Sequence, residues 1–354
     1  MPLHYRPMRK EDFPTCVDLV ANHPDYGPPY HGRWDLLLQA WTTSLGSDAF
    51  TARIFEDTSD GCTRPVSVGV FVFVTDEFIR DAKTPPYFWL GPELSLRITS
   101  GANPLLPDSE VRRQNSTAGL NLLPWPMGLS PEDRQRPELA QGMIAALIQE
   151  TRGYRVKEII AQTPVAQALQ AILFAGTLLA EGTNSGRELS PDDLEGIVRS
   201  PYLTCLTREL ALARVGSWAS SFFVNLDPVI GFSRSEQRLL EGALRGLDDE
   251  ELARELHISL SAVRKSWRSA YSRVDRSGTG ILPAMSQDHE NAERGRGKKH
   301  RLLNYVREHP EELRPVSLKL LHQNHLCVES EGTQPTEPAS RHRVGRPHSK
   351  SAGA

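Results

Sequence analysis

The spacing of apolar residues changes along the chain and predicts a mixed α/β unit followed by an all-α unit. Val66–Val74 is the clearest strand, a β-branched and aromatic run that follows Pro65. Further strand patterns lie at Arg53–Phe55, Tyr87–Ile98 and Val156–Ala161, and helical patterns at Glu138–Arg152 and Val165–Phe174. We therefore expect an α/β domain over residues 1–182.

Proline and glycine interrupt the pattern between these elements. Thr99–Pro137 holds six prolines and several glycines, so we expect a long irregular loop there. We assign 183–230 to a connecting segment, in which Leu203–Trp218 has the spacing of a helix.

Three helix starts follow one another closely in residues 231–276. Ser233 and Glu236 form the pattern of a capping box, Asp248 and Glu251 form a second, and Ser259 is placed to cap a third helix. In the third helix, Val263, Trp267, Ala270, Tyr271 and Val274 fall on one apolar stripe. The sequence thus predicts a helix-turn-helix unit, with a protein-interaction module as the alternative use of the same three helices.

Residues 231–276 resemble the LuxR-type DNA-binding domain. The matching positions are Ser233 with Glu236, Glu251-Leu252-Ala253, Ile258-Ser259, Ala262-Val263-Arg264 and Tyr271. The resemblance implies that a recognition helix at about 260–274 reads the major groove of double-stranded DNA. The predicted DNA-binding residues are Ser259, Ser261, Arg264, Lys265 and Arg268.

This resemblance leads us to expect a bacterial transcription regulator of LuxR type, with region four of sigma factors as a related alternative. Its expected partners are double-stranded DNA, RNA polymerase, a small-molecule effector and a second copy of the chain. The formal net charge of −3 gives no overall attraction to DNA, so binding would depend on a local basic face.

The opening of the chain resembles the GNAT acetyltransferase fold. His4–Asn22 contains an R-P-x-x-x-x-D turn before an amphipathic helix, and the helix and strand patterns after Pro137 follow in the order of that fold. The family binds a cofactor pyrophosphate on a glycine-containing loop, but Arg134–Gly142 has Pro137 and Leu139 where such a loop needs small residues. We therefore expect a degenerate GNAT-like sensor or dimerisation domain that is not an enzyme. An acetyltransferase with an appended helix-turn-helix is the alternative.

The composition and the distribution of cysteine and apolar residues argue against several kinds of site. Hydrophobic residues make up 39% and charged residues 24% of the 354 residues, which is typical of a globular protein. The four cysteines are far apart, so we expect no metal site and no disulfide framework. We also expect no cofactor and no catalytic residue, and give no role to Glu93 or Tyr154. Without an apolar leader or a long apolar run, we expect a cytoplasmic protein that does not contact a membrane.

The C-terminal part completes the prediction. Residues 277–329 are expected to be a linker with one short helix, Arg301–Glu308, and 330–354 a disordered tail. The basic run Arg294–Arg301 could contact DNA phosphates or serve only as a solvated linker.

Overall fold

The computed structural model describes residues 3–24, 26–59, 61–84, 88–163, 178–179, 202–213, 218–282, 291–317 and 319–321. The predicted helix Val165–Phe174 and the predicted tail at 330–354 lie outside these residues.

Seven strands form one mixed sheet in the order β1-β2-β3-β4-β5-β7-β6. The strands are β1 (Leu3–Pro7), β2 (Phe50–Asp57), β3 (Arg64–Val74), β4 (Leu120–Leu129), β5 (Val156–Thr163), β6 (Leu178–Leu179) and β7 (Tyr202–Thr207). All neighbouring strands pair antiparallel except β4 and β5, which are parallel. β3 lies between β2 and β4, and its apolar run is buried on both faces of the sheet; it contains the strand that the sequence predicted at Val66–Val74.

Helices cover both faces of this sheet. They are α1 (Phe13–Ala21), α2 (Trp34–Ser44), α3 (Asp76–Ala82), α4 (Leu90–Thr99), α5 (Asp108–Asn115), α6 (Pro137–Thr151) and α7 (Arg208–Ala213). The larger core lies between the sheet and the side that carries α1, α2 and α4, with Phe13, Trp41, Phe73 and Leu94 fully buried. α6 covers the other face and places Leu139 against Phe55 and Val66.

Four helices form the C-terminal part: α8 (Arg234–Leu244), α9 (Asp249–Glu255), α10 (Leu260–Ser277) and α11 (Asn291–Glu308). Both predicted capping boxes are present, and the Ser259 hydroxyl accepts from the amide of Ala262. Trp267 and Val263 lie in the shared core of these helices, and α11 adds Leu302 and Val306 to it.

A short segment ties the two parts together. The 3₁₀ turn Pro310–Leu313 places the Glu312 carboxylate on the backbone amides of Val229, Ile230 and Gly231, just before α8. Next in the chain, Arg314 donates to the carbonyl oxygens of Arg152 (3.0 Å) and Gln149 (3.2 Å), at the C-terminal end of α6. Because these carbonyls lack helical partners, Arg314 acts as a cap contributed by the C-terminal part.

Two of the predicted elements before residue 137 are wrong. Tyr87–Ile98 was expected to be a strand, but α4 begins at Leu90, since Leu90, Leu94 and Ile98 recur every four residues and all are buried. The expected loop Thr99–Pro137 contains α5 and the ten-residue strand β4.

Two predictions further along also need correction. Leu203–Trp218 is not one helix, because Tyr202–Thr207 pairs with β5 as a strand before α7 begins. The sheet therefore extends past residue 182 into the expected connecting segment. Residues 291–300, expected to be linker, are the first half of α11, and Arg301–Glu308 is its second half, helical as predicted.

Candidate functional site

A proline on β4 lies where that strand stops pairing with β5. The amide of Leu120 donates to the carbonyl of Arg155, so Leu120, Leu122 and Pro124 direct their backbone groups toward β5. Pro124 has no N–H to donate, and Pro126 lies in the irregular stretch of β4 between Trp125 and Gly128. Pairing between the two strands accordingly stops at Leu122 and Ile159, whereas β3 continues to pair along the other edge.

The separation of β4 and β5 opens a cavity of about 320 Å³. Its walls come from β4, β5 and β7, from the start of α4 and from the segment between α1 and α2. The lining is Tyr26, Pro29, Tyr30, Trp89, Leu90, Gly91, Pro92, Leu122, Pro124, Trp125, Pro126, Met127, Leu147, Thr151, Ile159, Ala161, Gln162, Thr204, Leu206, Ala219 and Phe222. None of these side chains carries a charge.

Tyr30 contributes its ring to this apolar wall, while its hydroxyl is buried against the first turn of α4. It is 3% exposed, and its hydroxyl has no hydrogen-bond partner among the described residues. The neighbouring indole N–H of Trp125 donates instead to the carbonyl of Gly91, at 3.3 Å. Burial raises the pKa of Tyr30 well above its usual range, so the phenol stays protonated.

Gln162 fixes the opposite wall. Its side chain accepts from the amide of Leu90 (2.6 Å) and donates to the carbonyl of Phe88 (2.7 Å). This pair of bonds holds the start of α4 against β5, which keeps Trp89 and Leu90 on the rim of the cavity. In β5, the only acidic residue is Glu158, which is outside the lining, in contact with Lys83 and Cys205.

The start of α6 is the second feature of the site, because the GNAT fold binds the pyrophosphate of acetyl-CoA at the helix that follows β4. Arg136 Nη1 is 2.6 Å from Asp57 and 2.8 Å from Asp133, and Arg64 is 2.7 Å from Asp133. Hydrogen bonds from Ser59 and from Arg136 hold the pKa of Asp57 below its usual range, so this carboxyl is ionised.

The backbone at the start of α6 is equally unsuited to a pyrophosphate. Pro137 has no N–H, and the amides of Arg136, Leu139 and Ala140 already donate to carbonyl oxygens. With Asp57 and Asp133 beside it and three of its amides already bonded to carbonyl oxygens, this helix start does not fit a pyrophosphate.

The predicted DNA-binding residues lie far along the chain from this cavity. Ser259, Ser261, Arg264, Lys265 and Arg268 are all exposed at or after the N-terminus of α10. They share one helix as predicted, and the assignment of DNA contacts to them stays a prediction.

Glu93 and Tyr154, to which the sequence gave no role, do not line the cavity. Glu93 accepts from Arg97 at 2.8 Å, and the Tyr154 ring lies against Phe73 and below Arg314. Tyr30, Trp125 and Gln162 were missed. The signal available for them was the alternation Pro124-Trp125-Pro126, which marks a strand with one unpaired edge.

Two classes of site are absent from the described residues. No helix there is long and apolar enough to cross a membrane. Within the same residues, no group of three or more histidine, cysteine, aspartate or glutamate side chains could hold a metal ion.

Comparisons with known proteins bear on the N-terminal part. No family model and no curated protein matches the chain. A spermidine N-acetyltransferase chimera of the Vibrio cholerae and human enzymes is 10% identical, covers 60% of this chain and 100% of its own, and has a TM-score of 0.35. A Corynebacterium glutamicum protein described as histone acetyltransferase HPA2 and related acetyltransferase is 15% identical, covers 58% and 95%, and has a TM-score of 0.32. An uncharacterised Bacillus halodurans protein is 12% identical, covers 62% and 92%, and also has a TM-score of 0.32.

These findings correct the expected function. We expected a LuxR-type DNA-binding transcription regulator that is not an enzyme, and the comparisons contradict both statements, since the similar structures with a known activity are N-acetyltransferases. The strand order β1-β2-β3-β4-β5-β7-β6, with one parallel pair at β4 and β5, is that of a GNAT-like α/β fold in the N-terminal part.

Proposed function

We propose that the α/β part is an N-acyltransferase that takes the arm of an acyl thioester between β4 and β5. One observation carries the proposal: the two parallel strands separate after Leu122 and Ile159 and enclose a cavity at the point of separation. Separated strands leave backbone groups without partners, which a folded protein tolerates where a ligand can satisfy them.

After Leu122, the edge of β4 that faces β5 is unpaired, and it suits an acyl thioester whose arm contains amide groups. Pro124 offers a carbonyl oxygen toward the gap but no N–H group. An extended arm with amide N–H groups, such as the pantetheine of coenzyme A, can donate to this carbonyl as an added strand would. The adenine nucleotide would contribute little, because Pro137 has no N–H and the amides of Arg136, Leu139 and Ala140 already donate to carbonyl oxygens.

The cavity can assist transfer because its apolar walls exclude water, which protects the thioester from hydrolysis. The amine nitrogen attacks the carbonyl carbon, the C–S bond breaks, and the proton lost by nitrogen ends on the departing sulfur.

The proposal is tested with the full chain and two donors, acetyl-CoA and S-acetylpantetheine, in the presence of a panel of primary amines. Thiol release and the mass of the acylated amine are measured together. We expect acyl transfer from both donors, with kcat/KM values within about tenfold of each other, a difference of roughly 1.4 kcal/mol. Absence of acylated amine with both donors would overturn the proposal.

A further inference from the structure

The cavity contains an aromatic wall without a counter-charge. Tyr26, Tyr30, Trp89, Trp125 and Phe222 contribute rings to the lining, and no aspartate, glutamate, lysine, arginine or histidine does so among the described residues. Glu158, which could have supplied a negative charge from β5, is instead in contact with Lys83 and accepts from Cys205 Sγ at 2.6 Å.

This aromatic wall disfavours a positively charged amine as the acceptor of the acyl group. Moving an ammonium group from water into an apolar site without an anionic partner is costly, and the group lowers its pKa or stays outside. An acceptor that is already neutral avoids this cost. The same aromatic rings favour a flat ring in the acceptor, because offset and edge-to-face ring contacts add to the burial of apolar area.

Resting on the N-acyltransferase function above, we propose that the acceptor is an aromatic primary amine whose amino group is attached to the ring and is therefore uncharged at neutral pH. The rings of Tyr30, Trp89 and Trp125 pack against the ring of the amine and leave its amino group facing the thioester. No side chain has to remove a proton before attack, which matches a lining that has no carboxylate or histidine among the described residues.

The decisive comparison uses two isomers of one formula. In para-ethylaniline the amino group is neutral at neutral pH, whereas in para-methylbenzylamine it is a cation. With the full chain and S-acetylpantetheine, we expect kcat/KM for para-ethylaniline to exceed that for its isomer at least tenfold, and no product from spermidine. The para-ethylaniline rate should not change between about pH 7 and 9, while the isomer's rate should rise about tenfold per pH unit until its own pKa is reached. Equal or greater use of either cation at neutral pH would overturn the proposal.

A binding measurement separates this proposal from the function on which it rests. Quenching of tryptophan fluorescence, without any donor, reports amine binding beside Trp89 and Trp125. We expect para-ethylaniline to bind more tightly than its isomer, and Tyr30→Ala, which removes the ring, to weaken its binding at least fivefold. Preferential binding without acyl transfer would contradict only the N-acyltransferase function, whereas acyl transfer with a preference for the cation would contradict only the acceptor class.

Discussion

Tyr30 lies so close to Gly91 that a Cβ atom built on the glycine would be 1.9 Å from the Tyr30 hydroxyl oxygen. Gly91→Ala must therefore displace the Tyr30 ring from the cavity wall, because the added methyl is fixed on the first turn of α4 and occupies the place of the Tyr30 hydroxyl. We expect a loss of about 1–3 kcal/mol of stability and at least a tenfold lower kcat/KM for acyl transfer.

Gly69→Ala is the matched control, since a Cβ there meets nothing within 4 Å. It should leave acyl transfer within about twofold of the unchanged chain. Equal activity of the two variants would show that the position of Tyr30 has no influence on the reaction.

Residues with regular spacing made much of the fold predictable. The capping pairs at Ser233 and Asp248 and the apolar run Val66–Val74 define their elements locally, so the sequence was sufficient for them. β4 was not predicted, because Pro124 and Pro126 oppose a strand unless one edge remains unpaired, and that depends on where β5 lies. The cavity was missed for the same reason, as it exists only where those strands part.

Arg314 joins the C-terminal part to α6. We therefore predict that this side chain contributes to the stability of the chain. Its guanidinium is 3.6 Å from the Glu150 carboxylate and lies over the Tyr154 ring, in addition to the two helix-end carbonyls that it caps. Arg314→Ala leaves those carbonyls without a donor, while Glu150 keeps its bond to Arg53. We expect a loss of about 1–3 kcal/mol in chemical denaturation.

The control for Arg314 is Arg307→Ala, because Arg307 is exposed and its guanidinium donates to Asn304 of the same helix, while its carbonyl, which accepts from Gln149, is kept in the variant. It should change stability by less than about 0.5 kcal/mol. Similar losses for both variants would contradict the role of Arg314 as a cap between the two parts.

The ionised side chain of Glu236 is expected to stabilise the C-terminal part and to lose this effect in acid. Burial raises the pKa of Glu236, but bonds from the Ser233 amide and the Ser269 hydroxyl, together with the charge of Arg273, outweigh it and hold the pKa below its usual value. A lowered folded-state pKa stabilises the fold above the unfolded-state pKa, and this stabilisation is lost as the pH falls through the folded-state pKa. Glu236→Gln should therefore destabilise the chain by about 1–2 kcal/mol at neutral pH and progressively less below about pH 4.

Thermal unfolding across that pH range measures the effect, with the exposed Glu308→Gln as control. A constant difference between the Glu236 variant and the unchanged chain at every pH would show that the charge of Glu236 does not contribute to stability.

The central claim is that the acyl arm occupies the gap between β4 and β5, and Ala161 tests it most directly because its side chain lines that gap on β5. Ala161→Phe fills the cavity, whereas Ala102→Phe places the same ring on an exposed loop. The measurement is thiol release from S-acetylpantetheine by both variants, with thermal unfolding used to show that each is folded. We predict that Ala161→Phe loses at least nine-tenths of its kcat/KM, which corresponds to about 1.4 kcal/mol. Ala102→Phe should change little. A folded Ala161→Phe protein with unchanged thiol release would contradict the claim.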